Sequence, residues 1–249
     1  MRLAAYNILD GGAGRLDPIH ETLKFLHADA VGLCEADDNA ALRYLGDKLG
    51  MEYVRAVGDS GHAVALLSRS PIRSMINLSV VAPALDRGAM EARIGANLRI
   101  VVAHLHAGQS PEDEVRRVAQ VRTLFDLVER DRSTPTVVLG DFNAASPDHP
   151  FDFDAASPRV QRRLAEHGVR SPGHDAVRAI QSRGWIDAIH KARPDSKMHT
   201  YTTGFPTTRY DYIWLYPDLC ERLEDAGVEQ RGFAPYCSDH YPVWAAIRS

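Results

Sequence analysis

The sequence of 249 residues is poor in cysteine and lysine, and it contains no long apolar run. Its three cysteines, Cys34, Cys220 and Cys237, form neither a CxxC motif nor the Cys/His spacing of a zinc site. A sparse, odd set of cysteines is typical of reduced thiols. The first residues hold too short an apolar stretch for a signal peptide, and no later run reaches the length of a membrane span. We therefore expect a soluble, cytoplasmic protein without stable membrane association.

Lysine is scarce, with four residues in the whole chain, and arginine supplies nearly all of the positive charge. The net charge of −4 argues against a protein that coats nucleic acid through a broad basic surface, although it allows a local basic rim around a site. The apolar fraction of 45% is ordinary for a globular protein, so the chain can bury a sizeable core without disulfides. With no repeat and no linker, it is predicted to form one domain over 1–249.

Short apolar segments bounded by turn residues predict a fold rich in strands. The predicted strands are 3–9, Ala30–Cys34, 53–57, 62–68, 72–81, 89–98, 98–106, 137–139, 200–202, 210–215 and 241–247. Those between 53 and 98 are connected by turns without intervening helices, which favours antiparallel pairing.

Apolar periodicity predicts three main helices between these strands. The first begins at Asp17 as N-cap, the second spans Asn39–Leu49, and the third begins at Ser110 with Asp113 completing a capping box. The segment 144–180 is predicted to be a long loop with one short helix over 159–167. Its prolines are Pro147, Pro150, Pro158 and Pro172.

The stretch PTVVLGDFN, residues 135–143, is an apolar strand that ends in two polar residues, Asp141 and Asn143. Because side chains alternate along a strand, residues two apart face the same side, so this carboxylate and this carboxamide are expected to point at one place. Such a pair suits phosphoryl chemistry, in which one group orients water or metal and the other stabilises an oxyanion. The alternative is a plain strand-ending turn, because Gly, Asp and Asn are common turn residues.

Other predicted strands also end or begin in polar residues, and these are Asn7, Glu35, His104, His106, Asp211, Asp239 and His240. Apolar strands that repeatedly stop at carboxylates, amides and imidazoles are typical of a catalytic rim above a sheet. Several acidic residues with Asn and no thiolate favour a hard cation, Mg²⁺ or Mn²⁺, over zinc. A metal with His and paired polar groups indicates phosphoester hydrolysis.

Simpler roles exist for several of these residues. Asn7 alone fits a turn into the Gly-rich stretch that follows it, and His106 alone fits a structural histidine in a satisfied environment. Asp211 alone fits a salt bridge to the neighbouring Arg209. Glu35 ends a buried run, where an unpaired carboxylate is costly, so a metal or an arginine partner is expected there.

The motifs YNIL at Asn7, LCE at Glu35, AHLH at His104, GDFN at Asp141, YDYI at Asp211 and SDHYPV at Asp239 resemble those of the endonuclease/exonuclease/phosphatase superfamily, in the same order along the chain. Its members include deoxyribonucleases, abasic-site endonucleases, inositol-polyphosphate phosphatases, sphingomyelinases and deadenylases. The resemblance implies a four-layer α/β/β/α sandwich of two mostly antiparallel sheets. It also implies direct attack of an activated water on phosphorus.

The resemblance also implies the role of each residue. Glu35 would be the principal Mg²⁺ ligand, with Asn7 and Asp239 close to the metal. Asp141 would orient or deprotonate the water, Asn143 would contact the phosphoryl oxygens, and His104 would hydrogen-bond the phosphate. His240, oriented by Asp211, would act as general base or stabilise the transition state.

The sequence departs from the family at Cys34, where many members have Gln before the metal-binding Glu. His104 points away from the abasic-site enzymes, which typically lack a histidine there.

The leading hypothesis from the sequence is an Mg²⁺-dependent phosphodiesterase or phosphatase. A nuclease is the first possibility within this class. The arginines near predicted loops, Arg159, Arg162, Arg163, Arg170 and Arg209, are candidates for a groove, although the 159–163 cluster fits a solvated helix face better. The alternatives are a phosphoesterase for a small molecule or a lipid headgroup, with 144–180 as a lid, and more remotely a non-catalytic binding module. No obligate protein partner is predicted.

Overall fold

The structure is a computed structural model that describes residues 1–149 and 151–248. Pro150, one of the four prolines of the 144–180 segment, lies outside the described residues. Two mixed six-stranded sheets pack face to face and carry helices on their outer faces. This confirms the predicted α/β/β/α sandwich.

The strands take short, mostly apolar segments of the chain. They are β1 Arg2–Asn7, β2 Ala30–Cys34, β3 Glu52–Val57, β4 Ala63–Ser68, β5 Ile72–Asn77, β6 Ala89–Ile94, β7 Leu98–His104, β8 Thr136–Asp141, β9 Ile186–Asp187, β10 Asp211–Leu215, β11 Leu223–Val228 and β12 Val243–Ile247. The first sheet has the order β11-β12-β1-β2-β4-β3, and the second has the order β5-β6-β7-β8-β10-β9. In each sheet the central pair, β1 with β2 and β7 with β8, is parallel, and the other pairs are antiparallel.

The helices connect the strands and form the outer layers. They are α1 Leu16–Leu26, α2 Asn39–Leu49, α3 Leu78–Val81, α4 Pro111–Val128, α5 Pro158–Glu166, α6 Asp175–Gln181, α7 Ala188–Ala192, α8 Pro217–Cys220 and α9 Ala234–Cys237, and a short 3-10 turn spans Asp10–Gly12. Helices α1 and α2 pack on the outer face of the first sheet, and α4 and α6 pack on that of the second. A third apolar cluster fills the space between the sheets. Within the described residues, no helix is both long and apolar enough to cross a membrane.

The two sheets approach closely where Gly32 of the first sheet faces Leu139 and Val102 of the second. A Cβ on Gly32 of β2 would lie 2.1 Å from Cδ1 of Leu139, so glycine is required at this contact. Gly140 of β8 has φ 139°, and its Cβ would lie 2.1 Å from the carbonyl oxygen of Ala103. Glycine therefore lets the chain bend just before Asp141 while staying paired to β7.

Several predicted boundaries are wrong, each for a local reason. The strand expected over 72–81 stops at Asn77, whose side chain accepts the backbone N–H of Ser79 and starts α3. Helix α1 begins at Leu16, so Asp17 lies in its first turn instead of capping it. The strand expected over 200–202 is reduced to isolated bridges at Tyr201.

The predicted loop over 144–180 contains a second helix besides the one expected. Helix α5 matches the predicted 159–167 within a residue or two, but α6 was not foreseen. Its buried face is short, consisting of Ala176, Val177 and Ile180, and this gives too little periodicity for a prediction.

Candidate active site

The topology brings the polar residues together because the four central strands end at the same edge of the sandwich. The parallel strands β1 and β2 end at Asn7 and next to Glu35, and the parallel strands β7 and β8 end at His104 and Asp141. The antiparallel neighbours β10 and β12 begin at this edge. They bring in Asp211, which pairs in register with Asp141, and the segment that carries His240.

Asn7 joins the two sheets through its amide. Its Nδ2 donates to Asp141 Oδ2 at 3.0 Å and lies 3.3 Å from Glu35 Oε1. The other oxygen of Glu35 accepts the backbone N–H of Asp10 at 3.0 Å. Asn7 is thus bonded to both carboxylates, and its Oδ1 also accepts the backbone N–H of Leu9 at 3.0 Å, so the expected turn contact is present as well.

The backbone at this edge is strained in a way that is common at functional sites. Glu35 and Asn143 have φ of 55° and 50°, and Leu9 and Asp10 have φ of 54° and 49°. Non-glycine residues with positive φ cost about 1–3 kcal/mol each and persist where the surrounding structure fixes them. Here all four of them directly follow a strand of the site or lie within three residues of its end.

Asp211 and His240 form a buried pair on one flank of the site. The Nδ1 of His240 is 2.8 Å from Asp211 Oδ2, and its Nε2 is 3.7 Å from Asp141 Oδ2. The ring of Tyr201 lies 4.9 Å from the imidazole of His240 and covers it. The alternative expectation that Asp211 pairs with Arg209 is wrong, because Arg209 is bonded to Asp187.

Asp141 and His240 both have shifted pKa values, and the two groups are suited to different roles. Burial is the main reason that the pKa of Asp141 rises to about 7. Burial alone would lower the pKa of His240, but the carboxylates of Asp211 and Asp141 raise it to about 10. His240 therefore carries a proton at neutral pH and suits the stabilisation of negative charge, whereas Asp141 is the better proton acceptor.

Asn143 and Asp239 lie next to these groups. The backbone N–H of Asn143 donates to Asp141 Oδ1 at 2.9 Å, and its side-chain amide donates to the carbonyl of Leu105 at 3.1 Å. Asp239 is half-buried. It follows Ser238, whose hydroxyl donates to the carbonyl oxygen of Asn7 at 2.7 Å and so holds this segment at the end of β1.

His106 and Arg209 lie away from the centre. The ring of His106 bonds the carboxylate of Asp113 at 2.8 Å in the capping box of α4, in keeping with its simpler structural role. Arg209 is fully buried and pairs with Asp187, so the idea that it lines an open groove is wrong.

Sequence reasoning missed Arg87, which lies on the flank opposite His240. Its Nε donates to Nε2 of His104 at 3.1 Å, and its Nη2 is 3.4 Å from Glu35 Oε1. Burial and the charge of Arg87 hold the pKa of His104 well below its usual value, so this histidine is neutral. Arg87 lies in the turn before β6. A charged residue just before a strand is common, so the sequence alone does not identify Arg87 as part of a site.

Cys34 lies buried between the sheets beneath the site. Its Sγ is 3.4 Å from the backbone nitrogen of Asp141 and 3.5 Å from the carbonyl oxygen of Ala103. Burial raises the pKa of this thiol well above its usual value, so it is protonated. Cys34 therefore packs under Asp141 without offering a thiolate to a metal.

The donor groups at this edge fit a hard divalent cation. They are carboxylate and carboxamide oxygens, which Mg²⁺ and Mn²⁺ prefer. The grouping of three possible ligand atoms within 4.8 Å of one another among the described residues is Asp141, Asp211 and His240, which differs from the predicted ligands Glu35, Asn7 and Asp239. Asp211 Oδ1 is buried and has no hydrogen-bond partner among the described residues, so the site keeps an uncommitted oxygen.

A protein family matches this chain over nearly its whole length. A model of the Endonuclease/Exonuclease/phosphatase family matches residues 4–240. No curated protein sequence matches the chain.

Three solved structures illustrate the similarity of fold. An AP endonuclease from Archaeoglobus fulgidus is 20% identical with a TM-score of 0.78, and the alignment covers 100% of both chains. The 3′ phosphatase NExo from Neisseria, solved with a product DNA hairpin, is 20% identical with a TM-score of 0.75 and the same coverage. The catalytic domain of Xenopus laevis APE2 is 18% identical with a TM-score of 0.70, covering 100% of this chain and 92% of that one. At these identities the likeness shows a shared fold.

Proposed function

This chain belongs to the endonuclease/exonuclease/phosphatase family of hydrolytic phosphoesterases, and we propose that it hydrolyses phosphodiesters of nucleic acid with the help of Mg²⁺. The observation that carries the proposal is the convergence of Asn7, Glu35, Asp141 and the Asp211–His240 pair at one edge of the sandwich. These groups offer oxygen ligands for a cation, a proton acceptor and a charge stabiliser. Asn7 bonds to both Glu35 and Asp141, and Nε2 of His240 lies 3.7 Å from Asp141 Oδ2.

Glu35 would hold the metal, with Asn7 and Asp239 beside it. Mg²⁺ is the first candidate and Mn²⁺ the second, because both prefer oxygen ligands. When bound, the cation neutralises charge on the phosphoryl group and polarises it.

The side chains around the phosphorus atom have different roles. Asp141 orients the attacking water and accepts its proton, and the imidazolium of His240 stabilises charge that develops on the phosphoryl oxygens. Asp211 holds the ring of His240 through Nδ1, so that Nε2 faces Asp141. Asn143 contacts a phosphoryl oxygen from the adjacent loop, and His104 acts on the phosphate through Arg87, to which it is hydrogen-bonded.

The exposed arginines of α5 support nucleic acid as the substrate. Arg159 and Arg163 make no ion pair with a carboxylate within the described residues. Burial and Asp239 raise the pKa of Tyr201, while Arg163 and Arg159 lower it, so these cations act at the flank that holds His240. Two exposed arginines without a carboxylate partner among the described residues suit contact with a phosphate backbone.

The second candidate is a phosphatase or phosphodiesterase for a small molecule or lipid headgroup. The net charge of −4 favours it, because a long polyanion gains little from such a surface. In that case the helical segment over 144–180 would be the substrate lid. A non-catalytic module is the weakest alternative, since every expected metal and catalytic residue is present. The three cysteines are free in the structure, which suits the proposed cytoplasmic location. The single domain over 1–249 is likewise a proposal.

A substrate panel tests the proposal. Supercoiled plasmid, a single-stranded oligonucleotide, and soluble inositol and sphingolipid phosphoesters are incubated with Mg²⁺, with Mn²⁺ and with chelator. Metal-dependent nicking or shortening of nucleic acid would support the proposal. Metal-dependent hydrolysis of only the small esters would favour the second candidate. Inactivity on all of the substrates would contradict both proposals.

A further inference from the structure

A second Asp–His pair lies on the flank of the site opposite Asp211 and His240. His62 Nδ1 is 3.1 Å from Asp37 Oδ2, and the other oxygen of Asp37 accepts the backbone N–H of Ala63 at 2.7 Å. The carboxylate is thus fixed at both oxygens, as expected for a residue that orients an imidazole.

The topology explains why the pair reaches the site. Strands β4 and β6 are the antiparallel neighbours of β2 and β7, so they begin at the edge where β2 and β7 end. His62 directly precedes β4, and Arg87 comes just before β6. They therefore mirror the positions of His240 and Asp211 on the other flank, with the central strands between them.

The two strand starts are tied to each other and to the site. The carbonyl oxygen of Asp86 accepts both the backbone N–H and the hydroxyl of Ser60, at 3.0 and 2.8 Å, which holds the turn before His62 against Arg87. The backbone N–H of Ala36 donates to the carbonyl of Ala63 at 2.9 Å. The ring of His62 lies 6.0 Å from that of His104.

His62 is the accessible imidazole on this flank. Its side chain is 29% exposed, whereas that of His104 is 1% exposed. Nε2 of His62 makes no hydrogen bond within the described part of the chain, while Nε2 of His104 accepts from Arg87. His104 therefore has no proton to give at Nε2. Asp37 is in direct contact with His62, and Arg87 is hydrogen-bonded to the neighbouring His104.

In-line displacement at phosphorus places the attacking water and the leaving oxygen on opposite sides. We propose that His62, oriented by Asp37, is the general acid on the leaving-group side of the site, opposite Asp141 and His240. This rests on the proposed function. As the bond from the water oxygen to phosphorus forms, Asp141 takes the water proton. The bond to the leaving oxygen breaks with its electron pair, and that oxygen takes a proton from Nε2 of His62.

Two esters that share one nucleotide and differ only in the leaving group test this assignment. Dithymidine phosphate has a sugar alkoxide leaving group that needs a proton, and thymidine 5′-phosphate p-nitrophenyl ester has one that leaves without it. His62→Asn is expected to lower kcat on the dinucleotide by about 10²-fold or more, as general acids contribute, and to change kcat on the aryl ester by less than about threefold. Asp37→Asn should show the same selectivity with a smaller loss, and His27→Asn, an exposed histidine at the end of α1, is the matched control.

The outcomes separate the two proposals. An equal loss on both esters, or no loss on either, in a variant with the wild-type unfolding midpoint would overturn the role of His62. Wild-type protein that hydrolyses neither ester with Mg²⁺ or Mn²⁺ would overturn the proposed function and this inference together.

Discussion

Replacement of Arg209 by Met is expected to destabilise the fold strongly. The guanidinium is fully buried, lies 2.5 Å from Asp187 Oδ2 and stacks 4.4 Å from the ring of Tyr212. Methionine would leave the carboxylate of Asp187 buried without its cation. Breaking a buried ion pair in this way costs about 3–5 kcal/mol.

The stability loss at a buried ion pair can be compared with that at an exposed Arg–Asp pair of the same chain. Arg170 is 3.2 Å from Asp154, and their side chains are 71% and 88% exposed. Arg170→Met should cost no more than about 1 kcal/mol, because solvent screens such pairs.

Urea unfolding followed by circular dichroism measures both variants against the wild type. Arg209→Met should lower the free energy of unfolding by several times as much as Arg170→Met. A double variant, Arg209→Met with Asp187→Asn, should recover part of the loss, since the unpaired charge is removed. Equal and small losses for the two single variants would refute the reasoning, because they would show that the buried pair contributes no more than the exposed one.

Three further changes have definite expected outcomes. Asp211→Asn should lower kcat by about 10²–10⁴-fold, since the ring of His240 loses the carboxylate that holds it and raises its pKa; steady-state kinetics on the preferred ester measures this. It should also lower the unfolding midpoint, because the buried imidazolium of His240 loses its charge partner. Gly140→Ala should cost at least about 2 kcal/mol in thermal unfolding, because alanine is strained at φ 139° and its Cβ would meet Ala103 O. Ser110→Ala removes an N-cap of α4 and should cost about 1 kcal/mol in the same assay without changing kcat.

The strand ends at the centre of the site were predictable because their pattern is local. An apolar run that stops at a polar residue marks the end of a buried strand, and this placed Asn7, Glu35, His104 and Asp141 at ends of strands. The capping box at Ser110 was also predictable, since its two residues are three apart. The contacts between Asn7 and both carboxylates were not, because they join the two sheets.

His62 and Arg87 show the limit of such reasoning. Each precedes a strand and follows a turn, where charged and polar residues are common without any function. Their position at the site depends on which strands are neighbours in the two sheets, and the spacing of apolar residues does not encode that order. Helix α6 and the burial of Arg209 were missed for a related reason, because both depend on tertiary packing.

The most direct test of the central claim is nicking of supercoiled plasmid DNA by the wild type and by His240→Ala, with and without a chelator. His167→Ala, which changes an exposed histidine at the end of α5, is the control. We predict nicking that requires the metal, persists in the control and falls by at least about 10²-fold in His240→Ala. Nicking by His240→Ala at the wild-type rate, or by the wild type in the presence of chelator, would contradict it.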